Sequence, residues 1–240
     1  MERKPKCIIV TGRQGSGKST LAAKLASRLW MPLVSRDEIK EGYVNTFGVS
    51  HDALAPESNR LVTDIFFRLV EEHLSAKISI VIEAAFQHKV WEYMMPRLVE
   101  LADVRIVLCT VDLNTAAERS IRRGLEQPER EFHHGDNRVV HYKKTGEVLA
   151  PADYEEPRFS LPTIMVSTDG EYPLDDIVHQ IRSRDEHKLS VIPAGPQRPR
   201  SYPGHRRYRK LSPSFHFQTS PCTASSFRRQ HFRPSSAQMI

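Results

Sequence analysis

A glycine-rich segment near the amino terminus holds the first residues whose spacing points to chemistry. Residues 12–19 read Gly-Arg-Gln-Gly-Ser-Gly-Lys-Ser, which fits the G-x-x-x-x-G-K-[ST] pattern of phosphate-binding loops. Glycines let such a loop wrap around phosphate with its N–H groups pointing inward. Lys18 would reach the β- and γ-phosphates of a nucleoside triphosphate, and the Ser19 hydroxyl would ligate Mg²⁺. The predicted nucleotide ligands are Gly12, Arg13, Gln14, Gly15, Ser16, Gly17, Lys18, Ser19 and Thr20.

A carboxylate and a group of arginines supply two further parts of a phosphoryl-transfer site. Asp37 follows a short apolar run, where a carboxylate can accept the proton of an attacking hydroxyl. Arg119, Arg122 and Arg123 stand at positions i, i+3 and i+4 of one predicted helix, so they share a face. Arginines brought down by a lid stabilise the transferred phosphoryl group. The competing interpretations are a helix N-terminal acid and a solvated basic face.

Alternating strands and helices must position these residues. Apolar and β-branched runs predict strands at 7–11, 33–35, 78–82, 104–111 and 163–167. Helical periodicity predicts helices at 17–30, 56–77, 90–101, 114–124 and 174–188. Residues 125–162 are polar and are expected to be irregular, so that Arg130, His133 and His134 would lie in a solvated loop. The alternation indicates an α/β fold with a mainly parallel sheet.

Three of the predicted helix features are specific enough to be checked by residue. The buried face of the longest helix is expected to consist of Leu61, Ile65, Leu69, Val70 and Leu74. Asn114 is the expected N-cap of the helix that carries the arginines. Gly124 is expected just beyond its C-terminal end.

The charge of the chain is concentrated at one end. The net charge is +6, but residues 190–240 hold nine basic residues and no acidic ones, and also seven prolines. Residues 1–189 hold 26 basic and 29 acidic residues. We therefore predict a kinase-like domain at 1–189 and a disordered basic tail at 190–240. A positive tail of this kind can contact nucleic acid.

Composition also excludes several classes of protein. Three cysteines are too few for a disulfide scaffold. No apolar run reaches the ~18–20 residues of a membrane span, and the run after the basic start is shorter than the ~7–15 residues of a secretory signal. We therefore expect a cytoplasmic protein without a membrane partner.

The phosphate loop alone does not separate kinases from other nucleotide-using proteins. The chain has no N-K-x-D guanine motif of the common GTPases. The strand ending in Glu83 and the strand followed by Asp112 both lack the Asp-Glu pair of ATPase motors. The loop, Asp37 and the arginines together favour a kinase that transfers the γ-phosphate of ATP to a hydroxyl.

Residues 6–188 resemble the kinase domain of the polynucleotide-kinase-like P-loop phosphotransferases, a group related to zeta toxin and chloramphenicol phosphotransferase. The resemblance rests on three motifs. The loop Gly12–Thr20 matches the family's phosphate loop, and residues 36–40 match its R-D-x-x-R motif except for the last position. The third motif, R-x-x-x-R-G, is matched by Arg119, Arg123 and Gly124. It implies a three-layer sandwich with a five-stranded parallel sheet of order 2-3-1-4-5 and a lid at about residues 119–147. It also implies that Asp37 is the general base, and that Arg119 and Arg123 clamp ATP.

Two departures from this family concern the acceptor. Lys40 stands where the family has an arginine that contacts the substrate's phosphate, and lysine keeps the charge without the bidentate fork. Glu83 stands where the family has aspartate, and it would hold a Mg²⁺-bound water or the acceptor. The predicted acceptor-binding residues are thus Arg36, Lys40 and Glu83, and the acceptor is a small molecule, a nucleoside or a nucleic-acid end.

Two other functions remain open at the level of sequence. One is an ATP-dependent binding or regulatory protein that contacts nucleic acid through its basic tail. The other is a zeta-toxin-like kinase of a sugar nucleotide, which would share the site and differ only in its acceptor.

Overall fold

Parallel strands form the centre of the molecule. The computed structural model describes residues 3–135, 137–183 and 190–192, and within these ranges it contains one sheet of order β2-β3-β1-β4-β5-β6. The strands are β1 Lys6–Thr11, β2 Leu33–Ser35, β3 Ile80–Glu83, β4 Asp103–Thr110, β5 Thr163–Ser167 and β6 Ser190–Ile192. The order of the first five strands confirms the sequence prediction. The short β6 pairs with β5 and is formed by residues that were assigned to the tail; the rest of the tail lies outside the described residues.

Helices connect the strands and cover both faces of the sheet. They are α1 Lys18–Leu29, α2 Arg36–Phe47, α3 Ser58–Ser75, α4 His88–Leu101, α5 Leu113–Glu126, α6 Glu129–His134, α7 Asn137–Thr145 and α8 Leu174–Arg182. A short 3-10 helix, His51–Ala53, lies between α2 and α3. In the described part of the chain, no helix is long and apolar enough to cross a membrane.

The core has two layers, one on each side of the sheet. Successive side chains of a strand point to opposite faces, so Cys7 and Ile9 of β1 pack with α3 and α4. Ile8 and Val10 pack with α1 and α8 on the other face. Because helices cover both faces, β1 is apolar without alternation, as expected for an inner parallel strand.

The buried face of α3 includes the predicted Val70 and Leu74 but otherwise differs from the predicted one. Leu61 is 41% exposed, and the buried residues are Ser58, Val62, Phe66, Phe67, Val70 and Leu74. The face is rotated because Phe66 and Phe67 join Phe86 and Trp91 in an aromatic cluster, with ring centroids 5.1–6.0 Å apart. Burying two large aromatic side chains stabilises the fold more than burying Leu61 and Ile65 would.

Both predicted ends of α5 are wrong. The N-cap is Asp112, whose Oδ1 accepts the backbone N–H groups of Asn114 at 2.9 Å and Thr115 at 3.0 Å. Both hydrogen bonds lower the pKa of Asp112, and the bond from Thr115 has the larger effect. At the other end, the helix runs past Gly124 to Glu126. A side chain at position 124 would overlap Val139 of α7, so this glycine permits close helix packing and does not end the helix.

The segment expected to be irregular, 125–162, contains α6 and α7. The prediction was wrong because these helices are short and polar, and tertiary contacts stabilise them where an apolar stripe does not. The helix predicted at 174–188 is observed as Leu174–Arg182, and Ser183 adopts an extended backbone; residues 184–188 lie outside the described ranges.

Candidate active site

The phosphate loop connects β1 to α1, as the sequence predicted. Gly15 adopts the left-handed region at φ +82°, and a side chain there would overlap the backbone carbonyl of Ala116. Gly17, at φ +74°, is the N-cap of α1, where the backbone N–H groups of the first turn are free to bind an anion. Ser16 is fully buried, and its hydroxyl has no hydrogen-bond partner among the described residues. The loop therefore has the conformation and the free donors that a phosphate group requires.

Lys18 and Glu83 form a buried pair beside the loop. Lys18 Nζ lies 3.6 Å from Glu83 Oε1, and the two side chains are 6% and 2% exposed. Parallel pairing of β2 with β3 sets Ser35 opposite Glu83, and Ser35 Oγ donates to Glu83 Oε2 at 2.9 Å. Oε1 has no hydrogen-bond partner in the described chain. Glu83 is thus not a strand-end acid that faces solvent, and its Oε1 faces the Lys18 ammonium group.

Asp37 lies in the first turn of α2, close to the phosphate loop. Burial raises its pKa, but the nearby positive charges of Lys18, His134, Arg36 and Arg130 lower it by more, so that the pKa falls below its ordinary value. Its carboxylate is therefore ionised at neutral pH, which is the state that accepts a proton from a hydroxyl.

Arg36 and Lys40 lie on the same helix as Asp37. Arg36 Nη1 is 3.6 Å from Asp37 Oδ1, and its Nη2 donates to the side chain of Asn59 at 3.2 Å. Lys40 is 6% exposed and has no hydrogen bond or ion pair within the described ranges. Burial, and next the charge of Arg36, lower the pKa of Lys40 to about 8. A charged amine in such partly desolvated surroundings is stabilised when a ligand supplies an anion.

A cavity of about 260 Å³ lies between the phosphate loop, α2 and the helices α5 to α7. It brings together Lys18, Asp37 and Arg123, which the sequence had placed in one site. Arg36 and Lys40 do not line it. Its other lining residues are Gln14, Ala85, Ser120, Gly124, Arg130, Glu131, His134, Gly135, Arg138 and Val139.

A second cavity, of about 280 Å³, lies on the other side of the phosphate loop. The predicted ligands Ser19, Thr20, Arg119 and Arg122 line it. Lys18 and Arg123 line both cavities, so the two spaces meet at these side chains.

Arg119 braces the site in addition to lining it. Its Nη2 donates to the Thr168 carbonyl at 2.8 Å, and Thr168 Oγ1 donates to the Ser16 carbonyl at 2.8 Å. Thr168 follows β5, so this chain of bonds connects α5, the end of β5 and the phosphate loop. No short motif in the sequence connects residues so far apart.

The helices α6 and α7 contact the site directly. Arg138 of α7 donates to Gln14 of the phosphate loop. Arg13, next to Gln14, lies with its guanidinium 6.0 Å from the ring centre of Tyr154. Arg130 and His134 are 23% and 14% exposed, which corrects the expectation of a solvated loop. Sequence reasoning missed the roles of Arg138 and Thr168 because their partners are distant in the chain. Arg138 and Gln14 are 124 residues apart, and Thr168 and Arg119 are 49 residues apart.

The parallel sheet, the phosphate loop after β1 and the helices over the cavity define the fold of phosphate-loop (P-loop) kinases. A candidate kinase from Chloroflexus aurantiacus j-10-fl has this fold, with a TM-score of 0.60 and 21% identity over 76% of this chain and 96% of that chain. A family model described as an AAA domain matches residues 7–143, and the chain belongs to this family.

More distant structural matches include two kinases. A gluconokinase from Sinorhizobium meliloti 1021 has a TM-score of 0.44 and 17% identity, over 75% of this chain and 91% of that chain. The APS kinase of Mycobacterium tuberculosis, in complex with AMPPNP and APS, has a TM-score of 0.47 and 17% identity, over 75% of this chain and 96% of that chain. No curated protein sequence matches the chain.

Proposed function

We propose that the protein is an ATP- and Mg²⁺-dependent phosphotransferase that transfers the γ-phosphate of ATP to a hydroxyl group. The observation that carries the proposal is that Lys18 of the phosphate loop and Asp37 of α2 line the same cavity. A phosphate-binding cation and an ionised carboxylate in one cavity are the two groups that an in-line transfer to a hydroxyl requires.

The residues around Lys18 fit a bound Mg²⁺·ATP. Ser19 would ligate the cation, and Glu83, whose Oε1 forms no hydrogen bond in the described chain and lies 3.6 Å from Lys18 Nζ, would contact it through a water. Mg²⁺, when bound, would neutralise charge on the phosphates. Lys18 binds the β- and γ-phosphates, and the backbone N–H groups of the loop orient them. Arg123, which lines both cavities, and Arg119 and Arg122, which line the second one, complete the positive wall.

Asp37 would act as the general base. The acceptor oxygen forms a bond to the γ-phosphorus while the bond to the oxygen that bridges it to the β-phosphorus breaks, and the hydroxyl proton passes to the Asp37 carboxylate. ADP leaves with the bridging oxygen. Because Asp37 is ionised well below neutral pH, its availability does not limit the rate near pH 7.

The acceptor side favours a hydroxyl compound that also carries an anionic group. Arg36 and Lys40 are basic and lie on the helix of Asp37. Arg36 keeps a buried Nε without a hydrogen-bond partner, and Lys40 has no hydrogen bond or ion pair within the described chain. A phosphate or carboxylate would satisfy both. This is consistent with the resemblance to the polynucleotide-kinase-like and zeta-toxin-like group, whose acceptors include a nucleic-acid end and a sugar nucleotide.

The decisive experiment is a transfer assay with labelled ATP against nucleosides, sugars, sugar nucleotides, antibiotics and 5′-hydroxyl oligonucleotides. With an acceptor found, Asp37→Asn should lower kcat by roughly 10²–10⁴ and leave ATP binding nearly intact. Lys18→Ala should weaken ATP binding and abolish transfer. Glu38→Gln is the matched control, because Glu38 is an exposed acid on the same helix. Wild-type transfer by Lys18→Ala would refute the proposal.

The basic tail favours a second candidate, an ATP-dependent protein that binds nucleic acid. The nine basic residues and no acidic residue of 190–240 support it. Because Ser190–Ile192 belongs to the sheet, truncation should follow Ile192. If the truncated protein loses salt-sensitive nucleic-acid binding but keeps transfer, the tail is an accessory to the enzyme. If neither form transfers phosphate, the second candidate is preferred.

A further inference from the structure

One face of α2 contacts the lid helix α6. Asp37, Glu41 and Asn45 are spaced four residues apart, so they lie along the same side of the helix. His134 Nε2 donates to Glu41 Oε1 at 2.8 Å, and Arg130 Nη1 lies 3.7 Å from the same oxygen. One carboxylate thus holds two basic side chains of α6.

Further contacts on either side of the Glu41 carboxylate fix the position of α6. His133 Nε2 lies 2.9 Å from Asn45 Oδ1, one turn beyond Glu41. Gly135 ends α6 in the left-handed region at φ +62°. A Cβ at this glycine would lie 2.5 Å from the ring of His51 and 2.7 Å from Asp52 Oδ1, so the end of α6 packs closely on the 3-10 helix.

Arg130 and His134 line the cavity that also contains Asp37, whereas Glu41 does not line it. Both basic side chains are near enough to Asp37 to favour its ionised form. Glu41 therefore holds Arg130 and His134 from outside the cavity in which both side chains lie near Asp37.

We propose that Glu41 is a positioning residue, which docks α6 onto α2 and holds Arg130 and His134 beside Asp37. The docking of α6 is supported by the contacts between α2 and α6. The expected effect on turnover rests on the proposed function. Arg130 would then reach the transferred phosphoryl group from the lid side of the cavity, opposite Lys18.

Hydrogen exchange of the α6 backbone, in the full chain without nucleotide, tests the docking. Glu41→Ala should speed exchange at Glu129–His134 by roughly 10-fold or more, because it removes a charge-assisted hydrogen bond and an ion pair. Glu41→Gln should stay closer to wild type, since its amide oxygen still accepts from His134. Glu38→Gln makes the same change of charge on the same helix and should leave exchange unchanged. Equal exchange in Glu41→Ala and wild type would overturn the docking.

Turnover of Mg²⁺·ATP, with water or an acceptor from the screen, tests the positioning. Glu41→Ala should lower kcat by roughly 10-fold or more and change the KM for ATP by less than about 3-fold, because the phosphate loop is unaltered. Glu41→Gln should recover part of kcat. A parallel loss of kcat and ATP affinity, or no change in either, would refute positioning. A wild-type protein that neither binds nor turns over ATP would refute the proposed function, while hydrogen exchange would still decide the docking.

Discussion

The phosphate-loop wall of the cavity and its lid wall are built in different ways. The first comes from one strand–loop–helix connection, Gly12 to Thr20, whose conformation depends on glycines with positive φ. The second combines Asp37 of α2 with side chains of α5, α6 and α7 as far along the chain as Val139. The first wall is therefore a local structure, whereas the second exists only when four helices pack together.

This difference has consequences for how each wall responds to mutation. A change in the phosphate loop strains the backbone at the place where it binds phosphate. A change on the lid wall acts through side-chain contacts between helices, which neighbouring residues can partly restore. The same type of substitution should thus be severe on one wall and reversible on the other.

Gly15→Ala should have the largest effect. Position 15 has φ +82°, and a Cβ there would overlap the Ala116 carbonyl, so the loop must shift away from its phosphate-binding conformation. We expect ATP affinity to fall by roughly 100-fold or more, as measured by calorimetry. Gly42→Ala in α2 is the control, because a Cβ at Gly42 meets nothing within 4 Å. That variant should bind ATP normally and gain about 0.5–1 kcal/mol of stability. Equal ATP affinity in the two variants would remove the distinction between the walls.

Gly124→Ala should have an intermediate and reversible effect. The new methyl group would overlap Val139, which must move together with α7. Overpacking of this kind costs about 1–3 kcal/mol in the free energy of unfolding. The double variant Gly124→Ala/Val139→Ala should restore most of this loss and of the turnover, because it removes the overlapping side chain. If thermal melting shows no recovery in the double variant, the close packing of α5 and α7 is not the cause.

Lys40→Met should have the smallest effect, and the size of this effect depends on pH. The pKa of Lys40 is lowered from 10.5 to about 8, so the unfolded chain binds more protons than the folded one between these values. Wild-type stability should rise with pH across that window. Below about pH 8 the Met variant should be more stable by roughly 1 kcal/mol, and the difference should shrink as the pH rises. Urea unfolding from pH 7 to 10.5 measures it; a constant difference would contradict the shift.

Much of the fold was predictable because its signals are local. The apolar run 163–167 predicted β5 with its observed bounds, and the order of the first five strands followed from the resemblance. The errors concern choices between adjacent residues. Asp112 and Asn114 are both good N-caps, and only the direction of the chain leaving β4 decides between them. Likewise, Leu61 and Val62 differ by one helical position, and the aromatic cluster beneath α3 selects Val62.

The same distinction between local and distant signals applies to the candidate site. Gly12 to Thr20 carry their chemistry in contiguous residue types, and Asp37 was recognisable by its place after β2. The roles of Glu41, Arg138 and Thr168 were not, because each acts on a partner at least 49 positions away. Arg130 and His134 were judged solvated for the same reason: a short polar helix gives no sign of the surface on which it docks.

By itself, the sequence determined the phosphate loop, because glycine conformations and the position of Lys18 at a helix start depend on neighbours in the chain. It also determined that α/β units surround the loop. Only the tertiary structure decided that Glu83 is buried against Lys18, that Asp37 shares a cavity with side chains of α6 and α7, and that Glu41 holds His134. These are contacts between charged groups of distant segments, and their strength depends on burial and distance, which exist only in the folded chain.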